Sequence, residues 1–237
     1  MARPFLSMYW RNLVLANYRV PPDLLLPYVP PGSELDTPGD APDLHLLSLV
    51  AFDFEQTRAY GAALPTAQRF PEVNLRFYVR KGEKRATVFL REYVPVPLIV
   101  LGARLLYHQP YYLATIAHQV RWQEETVRVY TRFKHRQHSG EITLEARNAP
   151  EIPPADSQEH FLKEHYWGFD RRPSGESFRY YVEHPVWRIF PVMSARVTIN
   201  PGALLGGLWQ SVDWDAVLHS VLFAEGSRAT IHEAEPL

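Results

Sequence analysis

The sequence predicts an α+β protein whose sheets are mainly antiparallel. Short runs rich in aromatic and β-branched residues recur along the chain, two of them flank a tight glycine turn, and few segments suggest a helix. With 237 residues, 46% hydrophobic and 13% aromatic, the chain has enough apolar side chains for a sizeable core. Because sheet-rich domains often reach this length undivided, we expect residues 1–237 to form one domain.

The first third of the chain is predicted to supply two core strands. Residues 9–20 are aromatic and β-branched and stop at two prolines, and residues 46–54 form a compact apolar run. One helical turn is expected at residues 23–26, which further prolines follow. Gly, Ala and Pro between residues 56 and 70 indicate a loop.

Residues 72–93 form the clearest local pattern, a β-hairpin that turns at Gly82-Glu83. With that two-residue loop, Lys81 faces Lys84, and the core face pairs Leu75 with Leu90 and Phe77 with Val88. The other face would carry Glu72, Asn74, Arg76, Tyr78, Thr87, Phe89 and Arg91. Antiparallel sheets commonly expose such a face to water; only the alternative, the inside of a closed sheet, would give these residues a ligand.

The rest of the chain is predicted to contain two more helices and further strands. Residues 97–107 have helix length, a proline allowed in the first turn, and Arg104 near the negative end of the helix dipole. Asp156 and Glu159 resemble a capping box for a helix that ends at residue 166. Strands are expected at residues 117–123, 126–133, 178–190, 195–199 and 221–224, a proline-rich crossover at 148–154, and a glycine-rich loop at 202–207.

Composition argues against several partners and sites. With a net charge of -1 and a pI near 6.8, the chain lacks the positive charge expected of a protein that binds nucleic acid or anionic lipid. The most apolar stretch, residues 94–107, is too short and too interrupted to span a membrane. The start of the chain shows no signal-peptide pattern, and there is no cysteine, so we expect a cytoplasmic protein. The histidine pairs His135/His138 and His160/His165 lack an acidic companion at ligand spacing, so neither a metal nor another cofactor is expected.

Imine chemistry is also disfavoured by the lysines. The chain has only four, namely Lys81, Lys84, Lys134 and Lys163. Two lie on the hairpin turn and two in charged segments, so all are expected to be solvent-exposed and protonated. A nucleophilic lysine must instead be desolvated or crowded by another cation.

Several segments resemble a known family, in order along the chain. They are residues 10–13 (Trp-Arg-Asn-Leu), 70–79 with 88–92, 103–112 (Ala-Arg-Leu-Leu-Tyr-His-Gln-Pro-Tyr-Tyr), 161–166 and 184–187 (His-Pro-Val-Trp). They resemble the YqjF-like family of uncharacterised bacterial proteins, a branch of the acetoacetate decarboxylase superfamily. The resemblance implies antiparallel strands that curl into a cone or closed barrel around an internal pocket, with the polar hairpin face turned inward.

The resemblance also implies a pocket that has lost its nucleophile. In acetoacetate decarboxylases, the segment similar to residues 103–112 ends in a lysine pair whose first member forms an imine with the substrate. The matching positions here are Tyr111 and Tyr112. Arg11 matches an arginine that helps to bind a substrate carboxylate, and Asp53 and Glu72 match pocket acids.

Three functional hypotheses follow from this resemblance. In the first, the pocket binds a small polar compound with a carboxylate or carbonyl group, its anion held by Arg11 and by Arg76 or Arg91, with Glu72 and Asp53 orienting or protonating it. Further expected pocket residues are Asn74, Arg104, Tyr107, Tyr111 and Trp187.

The second hypothesis is a lysine-independent lyase or hydratase, in which Glu72 is the acid or base and Tyr111 donates a hydrogen bond. The third is a non-catalytic interaction module, with the sheet edge pairing to a second copy, if Phe89 and Tyr78 fill the cavity. The ligand hypothesis requires Glu72 and Arg11 to converge in one hollow. A homodimer is a further expectation.

Overall fold

The structure, a computed structural model, describes residues 2–64, 67–107, 110–171 and 175–237, except for the side chains at 105–107. The strands are β1 (Pro4–Arg19), β2 (Glu34–Leu35), β3 (Leu46–Ala59), β4 (Ala62–Ala63), β5 (Arg69–Lys81), β6 (Lys84–Val94), β7 (Tyr111–Leu113), β8 (Thr115–Trp122), β9 (Thr126–His135), β10 (His138–Arg147), β11 (Trp167–Arg171), β12 (Ser177–Glu183), β13 (Ile189–Phe190), β14 (Val192–Val197), β15 (Leu218–His232) and β16 (Glu235–Pro236).

The helices that the structure describes are all short. They are α1 (Pro22–Leu25), α2 (Pro97–Tyr107), α3 (Gln158–Lys163) and α4 (Pro201–Leu205), with 3-10 turns at Leu26–Tyr28 and Gly207–Ser211. Within the described ranges, none has the length and apolar character needed to cross a bilayer.

Seven strands close into a ring in the order β1, β3, β5, β6, β11, β12 and β15, because β15 pairs with both β12 and β1. All neighbours in the ring are antiparallel except β6 and β11. A second, antiparallel sheet of four strands has the order β14, β10, β9, β8. The prediction of a mainly antiparallel α+β fold with a closed, curved sheet is confirmed.

Strand alternation divides the apolar residues of the ring between two faces. Val14, Leu49 and Leu75 belong to the outer core, which they share with Val129 and Phe133 of the second sheet. The inner core includes Leu15, Val50, Phe52, Phe161 of α3 and Trp187. The outer face of the ring is therefore packed against the second sheet, while the inner face surrounds α3.

The hairpin turn was predicted correctly, but the register beyond it contains an unpredicted β-bulge. Lys81 pairs with Lys84, and Phe77 with Val88. The register shifts between Leu75 and Arg76, so that Leu75 lies opposite Arg91 instead of Leu90. An extra residue in one strand reverses the facing of every residue beyond it. Glu92, not Arg91, therefore reaches the inner face.

The polar hairpin face lies inside the ring and not in water. Glu72 and Asn74 are each 2% exposed and Tyr78 is 1% exposed. Of the two interpretations left open by the sequence, the buried one is therefore correct.

Other boundaries differ from the prediction in local detail. β3 continues to Ala59 and β4 follows within the predicted loop, of which residues 65–66 lie outside the described ranges. β10 was missed. The N-cap of α3 is Ser157, one residue after the predicted cap, and its side chain accepts a hydrogen bond from the His160 backbone. The predicted glycine-rich loop contains α4, which Asn200 caps.

Candidate functional site

Three neighbouring strands bring a row of polar side chains together inside the ring. Asn74 on β5 lies opposite Glu92 on β6, and Glu92 lies beside Tyr111 on β7. Glu72, two residues before Asn74, points to the same face. The Asn74 amide donates to Glu72 Oε1 at 2.9 Å, and the Tyr111 hydroxyl donates to Glu72 Oε2 at 3.2 Å. We call Glu72, Asn74, Glu92 and Tyr111 the inner polar cluster.

The two carboxyl groups of this cluster are both withdrawn from water, Glu72 at 2% and Glu92 at 5% exposed. Burial raises the pKa of Glu72 to about 7, against the opposing effects of hydrogen bonds from Asn74 and Tyr111 and of the Arg76 charge. Burial, followed by the charge of Glu72, raises the pKa of Glu92 well above its ordinary value. Because two adjacent buried carboxylates repel each other, the pair retains at least one proton near neutral pH.

Tyr111 links these two carboxyl groups. It donates its only hydroxyl proton to Glu72, and it lies beside Glu92 in the β6–β7 pairing and lowers the pKa of that carboxyl group. A tyrosine oxygen can accept a second hydrogen bond, and a protonated carboxyl can donate one. The directions of the two pKa shifts agree with a protonated Glu92 beside a Glu72 that can gain or lose a proton.

Tyr180 on β12 approaches the same cluster from across β11. Gly168 of β11 makes room for it, since a Cβ at position 168 would lie 2.1 Å from Tyr180 Cζ. Burial, followed by the charge of Glu92, raises the pKa of Tyr180 well above its ordinary value, and burial followed by the charge of Glu72 does the same for Tyr111. Both phenols therefore remain protonated hydrogen-bond donors.

Arg76 supplies a cation next to the inner polar cluster. Its Nη2 donates to the Leu162 carbonyl at 3.1 Å, while its buried Nε has no partner among the described residues. Beyond Arg76, the Tyr78 hydroxyl bonds to Ser48 Oγ at 2.7 Å and its ring packs on Phe161 of α3. The α3 end of the ring is thus packed. Buried polar atoms without a hydrogen-bond partner among the described residues occur at that end, in the His165 ring, and also near Glu72.

Sequence comparison assigns the chain to a family. The profile of DUF2071, described as an uncharacterized conserved protein, matches residues 7–226. The chain belongs to the DUF2071 family. Consistent with the resemblance seen in the sequence, this DUF2071 chain is 31% identical over 198 residues to the uncharacterized protein YqjF of Bacillus subtilis (strain 168), covering 81% of this chain and 77% of YqjF.

Solved structures with a similar fold include acetoacetate decarboxylases and the enzyme MppR. Acetoacetate decarboxylase from Legionella pneumophila aligns over 99% of the DUF2071 chain and 88% of its own, with a TM-score of 0.67 and 15% identity. The enduracididine biosynthesis enzyme MppR, complexed with pyruvate, aligns over 100% and 91%, with a TM-score of 0.69 and 15% identity. At this level of identity the comparison establishes the fold, and the predicted decarboxylase-like architecture is confirmed.

Arg11 and Asp53 do not join Glu72 in this DUF2071 structure. Asp53 follows Phe52, the residue that pairs with Glu72, so the Asp53 side chain points to the opposite face of the sheet. Arg11 pairs with Asp53 and shares its face, and both line a separate pocket together with His118. The expectation that Arg11 and Glu72 converge in one hollow is therefore wrong, because neighbouring positions of a strand face opposite sides.

Two other predicted arginines also lie away from Glu72. The bulge turns Arg91 outward, where its Nη1 donates to the Leu90 carbonyl at 2.8 Å and its guanidinium lies 5.3 Å from the centre of the Tyr112 ring. Arg104 donates from Nε to the Tyr111 carbonyl at 2.7 Å and thus holds the backbone of β7.

The remaining two predicted pocket residues have different outcomes. The Tyr107 side chain lies outside the described residues. Trp187 is 2% exposed, donates to Ser227 Oγ at 2.8 Å and stacks on His184. It belongs to the packed inner core.

Among the interior polar residues that sequence reasoning missed, three bear on the chemistry of the ring. Glu92 was hidden by the bulge, although a carboxylate between Leu90 and Val94 in an apolar strand was a usable signal. No local signal identified Tyr180. Lys163, expected in solvent, has a fully buried side chain that forms an ion pair of 2.6 Å with Glu164.

Proposed function

We propose that the interior of the ring binds a small polar compound with a carboxylate or carbonyl group, next to the inner polar cluster. The observation that carries this proposal is that, of the buried polar atoms that lack a partner among the described residues, three belong to neighbouring residues at this place: Asn74 Oδ1, Arg76 Nε and Glu92 Oε2. Folded proteins rarely leave such atoms unpaired. A polar guest or ordered water at this point would satisfy them.

The state of Tyr111 and Tyr180 supports a hollow at the same place. Burial is the largest cause of the raised pKa of each phenol, which means that protein surrounds both side chains. Both residues nevertheless retain some accessible surface. A side chain that is enclosed and still accessible is expected to face an internal space.

The chemical groups present suggest how the guest is held. Arg76 offers Nε to a carboxylate, and the protonated phenol of Tyr180 can donate to a carbonyl oxygen. Tyr111 can do the same when a protonated Glu72 donates to the phenol oxygen and frees its proton. Pyruvate, named with the similarly folded MppR, carries both groups and is therefore a suitable first probe.

A second candidate, a lysine-independent lyase or hydratase, is favoured by one observation. The pKa of Glu72, about 7, lies in the range where a carboxyl can both accept and donate a proton at physiological pH. Glu72 would then be the acid or base, and Tyr111 would stabilise negative charge on the substrate oxygen.

Tyr111→Phe is expected to weaken binding of the small carboxylate or carbonyl ligand about tenfold or more. The variant removes the phenol hydroxyl, which bonds to Glu72 and is proposed to contact the ligand. The measurement is thermal stabilisation by a panel of small carboxylates and carbonyl compounds, with pyruvate included. Tyr112→Phe is the matched control, since its side chain is the next in sequence and packs on Tyr93 and His135 of the outer core. Equal effects of the two variants would contradict the proposed site.

The same panel separates the three functional hypotheses. A stabilising compound that is also converted, with conversion lost in Glu72→Gln and binding retained, would indicate the enzyme. Stabilisation without conversion would indicate a binding protein. No stabilisation by any compound would contradict both and favour the interaction module.

Borohydride treatment in the presence of pyruvate is expected to leave the protein mass unchanged. The positions that match the lysine pair of the acetoacetate decarboxylases are Tyr111 and Tyr112 here. Lys163 forms an ion pair of 2.6 Å with Glu164, and its side chain is fully buried. Mass spectrometry after reduction tests this. A stable adduct mapped to any of the four lysines would show that an imine forms and would overturn the lysine-independent proposal.

A further inference from the structure

A second polar pocket lies on the outer side of the ring. Its volume is about 540 Å³, within the range of small-molecule sites. Residues of β1, β3, β5 and β15 line it from the ring, and residues of β8, an edge strand of the second sheet, line it from the other side. It contains Arg11 and Asp53, and the inner polar cluster lies on the opposite face of the ring, with β5 as the strand that contributes to both.

The Arg11 guanidinium has no close anionic partner among the described residues of this pocket, although its charge helps to lower the pKa of Glu225. The group lies 4.8 Å from the centre of the Tyr9 ring, and it forms no hydrogen bond or ion pair with any residue in the described ranges. A guanidinium has five N–H donors in a planar arrangement that matches a carboxylate. Arg11 is therefore able to receive the anionic group of a ligand.

Asp53 is a buried carboxylate with weak partners. It is 3% exposed, yet its nearest donors are Asn12 Nδ2 at 3.5 Å and Arg69 Nη2 at 3.7 Å. Ordinary hydrogen bonds of this kind are about 2.7–3.2 Å long. A cationic group in the pocket would give Asp53 the close partner that it lacks.

The charges around the pocket exclude simpler ligands. Arg11 and Arg69 face Asp53, Glu55 and Glu225, two positive against three negative groups, for a net charge of -1. The Arg69 guanidinium lies between Asp53 and Glu55, and its distance to the Glu55 carboxylate is 3.5 Å. Arg188 forms an ion pair of 2.6 Å with Glu225. A dianion would be repelled by the carboxylates, and a simple cation would leave Arg11 without a partner.

His118 adds no further cation. Its ring bonds to Thr131 Oγ1 at 2.8 Å and to the Asn12 carbonyl at 3.0 Å, and burial lowers its pKa. The unmatched pair in the pocket is therefore Arg11 and Asp53, which lie opposite each other on β1 and β3.

We propose that this outer pocket binds a small zwitterion of the α-amino acid class, with the ligand carboxylate on Arg11 and its ammonium group on Asp53. Trp122 lines the same pocket and is 51% exposed, with its ring packed on Phe190. Its free surface suits an apolar or aromatic ligand side chain. The site is independent of the proposed ligand of the inner polar cluster.

The test uses L-phenylalanine as the probe and isothermal titration calorimetry on the full chain. N-acetyl-L-phenylalanine lacks the ammonium group, and L-phenylalaninamide lacks the carboxylate. We expect each derivative to bind about tenfold or more weakly than L-phenylalanine, and Arg11→Gln and Asp53→Asn each to weaken L-phenylalanine binding to the same extent.

Two control variants separate this site from the rest of the protein. Arg121→Gln changes an arginine of β8 outside the pocket, and Glu72→Gln changes the inner polar cluster; both should bind L-phenylalanine as the wild type does. Binding lost in Glu72→Gln but kept in Arg11→Gln would move the ligand to the inner site and overturn the proposal.

Other outcomes also overturn it. N-acetyl-L-phenylalanine binding as tightly as L-phenylalanine would indicate an anion site, and no heat from any of the twenty amino acids at millimolar concentration would remove the ligand class. If Asp53→Asn does not fold by circular dichroism, Arg11→Gln and the two derivatives still decide the result.

Discussion

Replacement of Glu164 by glutamine is expected to lower the free energy of unfolding by about 3–5 kcal/mol, the usual cost of breaking a buried ion pair. The side chains of Lys163 and Glu164 are 0% and 2% exposed, and their charged atoms lie 2.6 Å apart. Glutamine leaves the Lys163 ammonium in the interior without a counterion. Glu164 also accepts hydrogen bonds from the Trp187 backbone at 3.1 Å and the Tyr166 hydroxyl at 2.6 Å, so the loss extends to its neighbours.

Urea unfolding near neutral pH measures this cost, and two further variants show its origin. The double variant Lys163→Met with Glu164→Gln should recover most of the lost stability, because it removes the uncompensated charge. Glu225→Gln breaks a partly exposed pair with Arg188, whose side chain is 52% exposed, and should therefore destabilise the protein much less. If Glu164→Gln is no more destabilising than Glu225→Gln, the buried pair does not stabilise the fold as argued.

The sequence predicted those strands in which the apolar pattern is uninterrupted. β1, β3 and the β5–β6 hairpin have long apolar or alternating runs, because they form the ring and bury residues on both faces. β10 was missed. Its outward positions carry Glu141, Thr143 and Glu145, of which Glu141 and Glu145 pair with arginines of β9. These side chains alternate with the buried Ile142, Leu144 and Ala146, so the strand had a usable period-two pattern that the sequence analysis overlooked, and its pairing with β9 and β14 identifies it.

The candidate site was predicted by residue type and strand but not by face. Glu72, Asn74 and Tyr111 meet as expected, whereas Arg11, Asp53 and Arg91 do not join them. The face to which a side chain points depends on β-bulges, and a single sequence does not show where a bulge occurs. The register shift beside Arg76 places Glu92, instead of Arg91, on the inner face. A one-residue displacement on a strand is sufficient to move a side chain from one face of the sheet to the other.

Glutamine at position 72 is expected to become more stabilising relative to wild type as pH rises, by roughly 3 kcal/mol in total. Burial raises the pKa of Glu72 from 4.5 to about 7. Between these values, the unfolded wild-type chain has lost a proton that the folded protein still holds. The contribution of a protonated Glu72 is therefore complete below the unfolded pKa and is lost as pH rises through the folded pKa. Glutamine has no such proton to lose.

The measurement must be the difference between variant and wild type at each pH, because other groups act in the opposite direction. Burial lowers the pKa of His118, His165 and His184, so their contribution to stability increases as pH rises through the same range. These histidines are present in both proteins, and their effect largely cancels in the difference. Urea unfolding from about pH 4 to about pH 8 covers the range in which Glu72 titrates.

Glu141→Gln provides a control of opposite sign. Hydrogen bonds from Tyr130 and Arg132 lower the pKa of Glu141, so its stabilising effect is present above the unfolded pKa and is lost as pH falls. This variant should therefore lose stability relative to wild type as pH rises, while Glu72→Gln gains it. A flat difference curve for Glu72→Gln would mean that Glu72 ionises equally in both states. That result would contradict the claim that burial raises the pKa of Glu72. It would also contradict the proposed role of Glu72 in proton transfer.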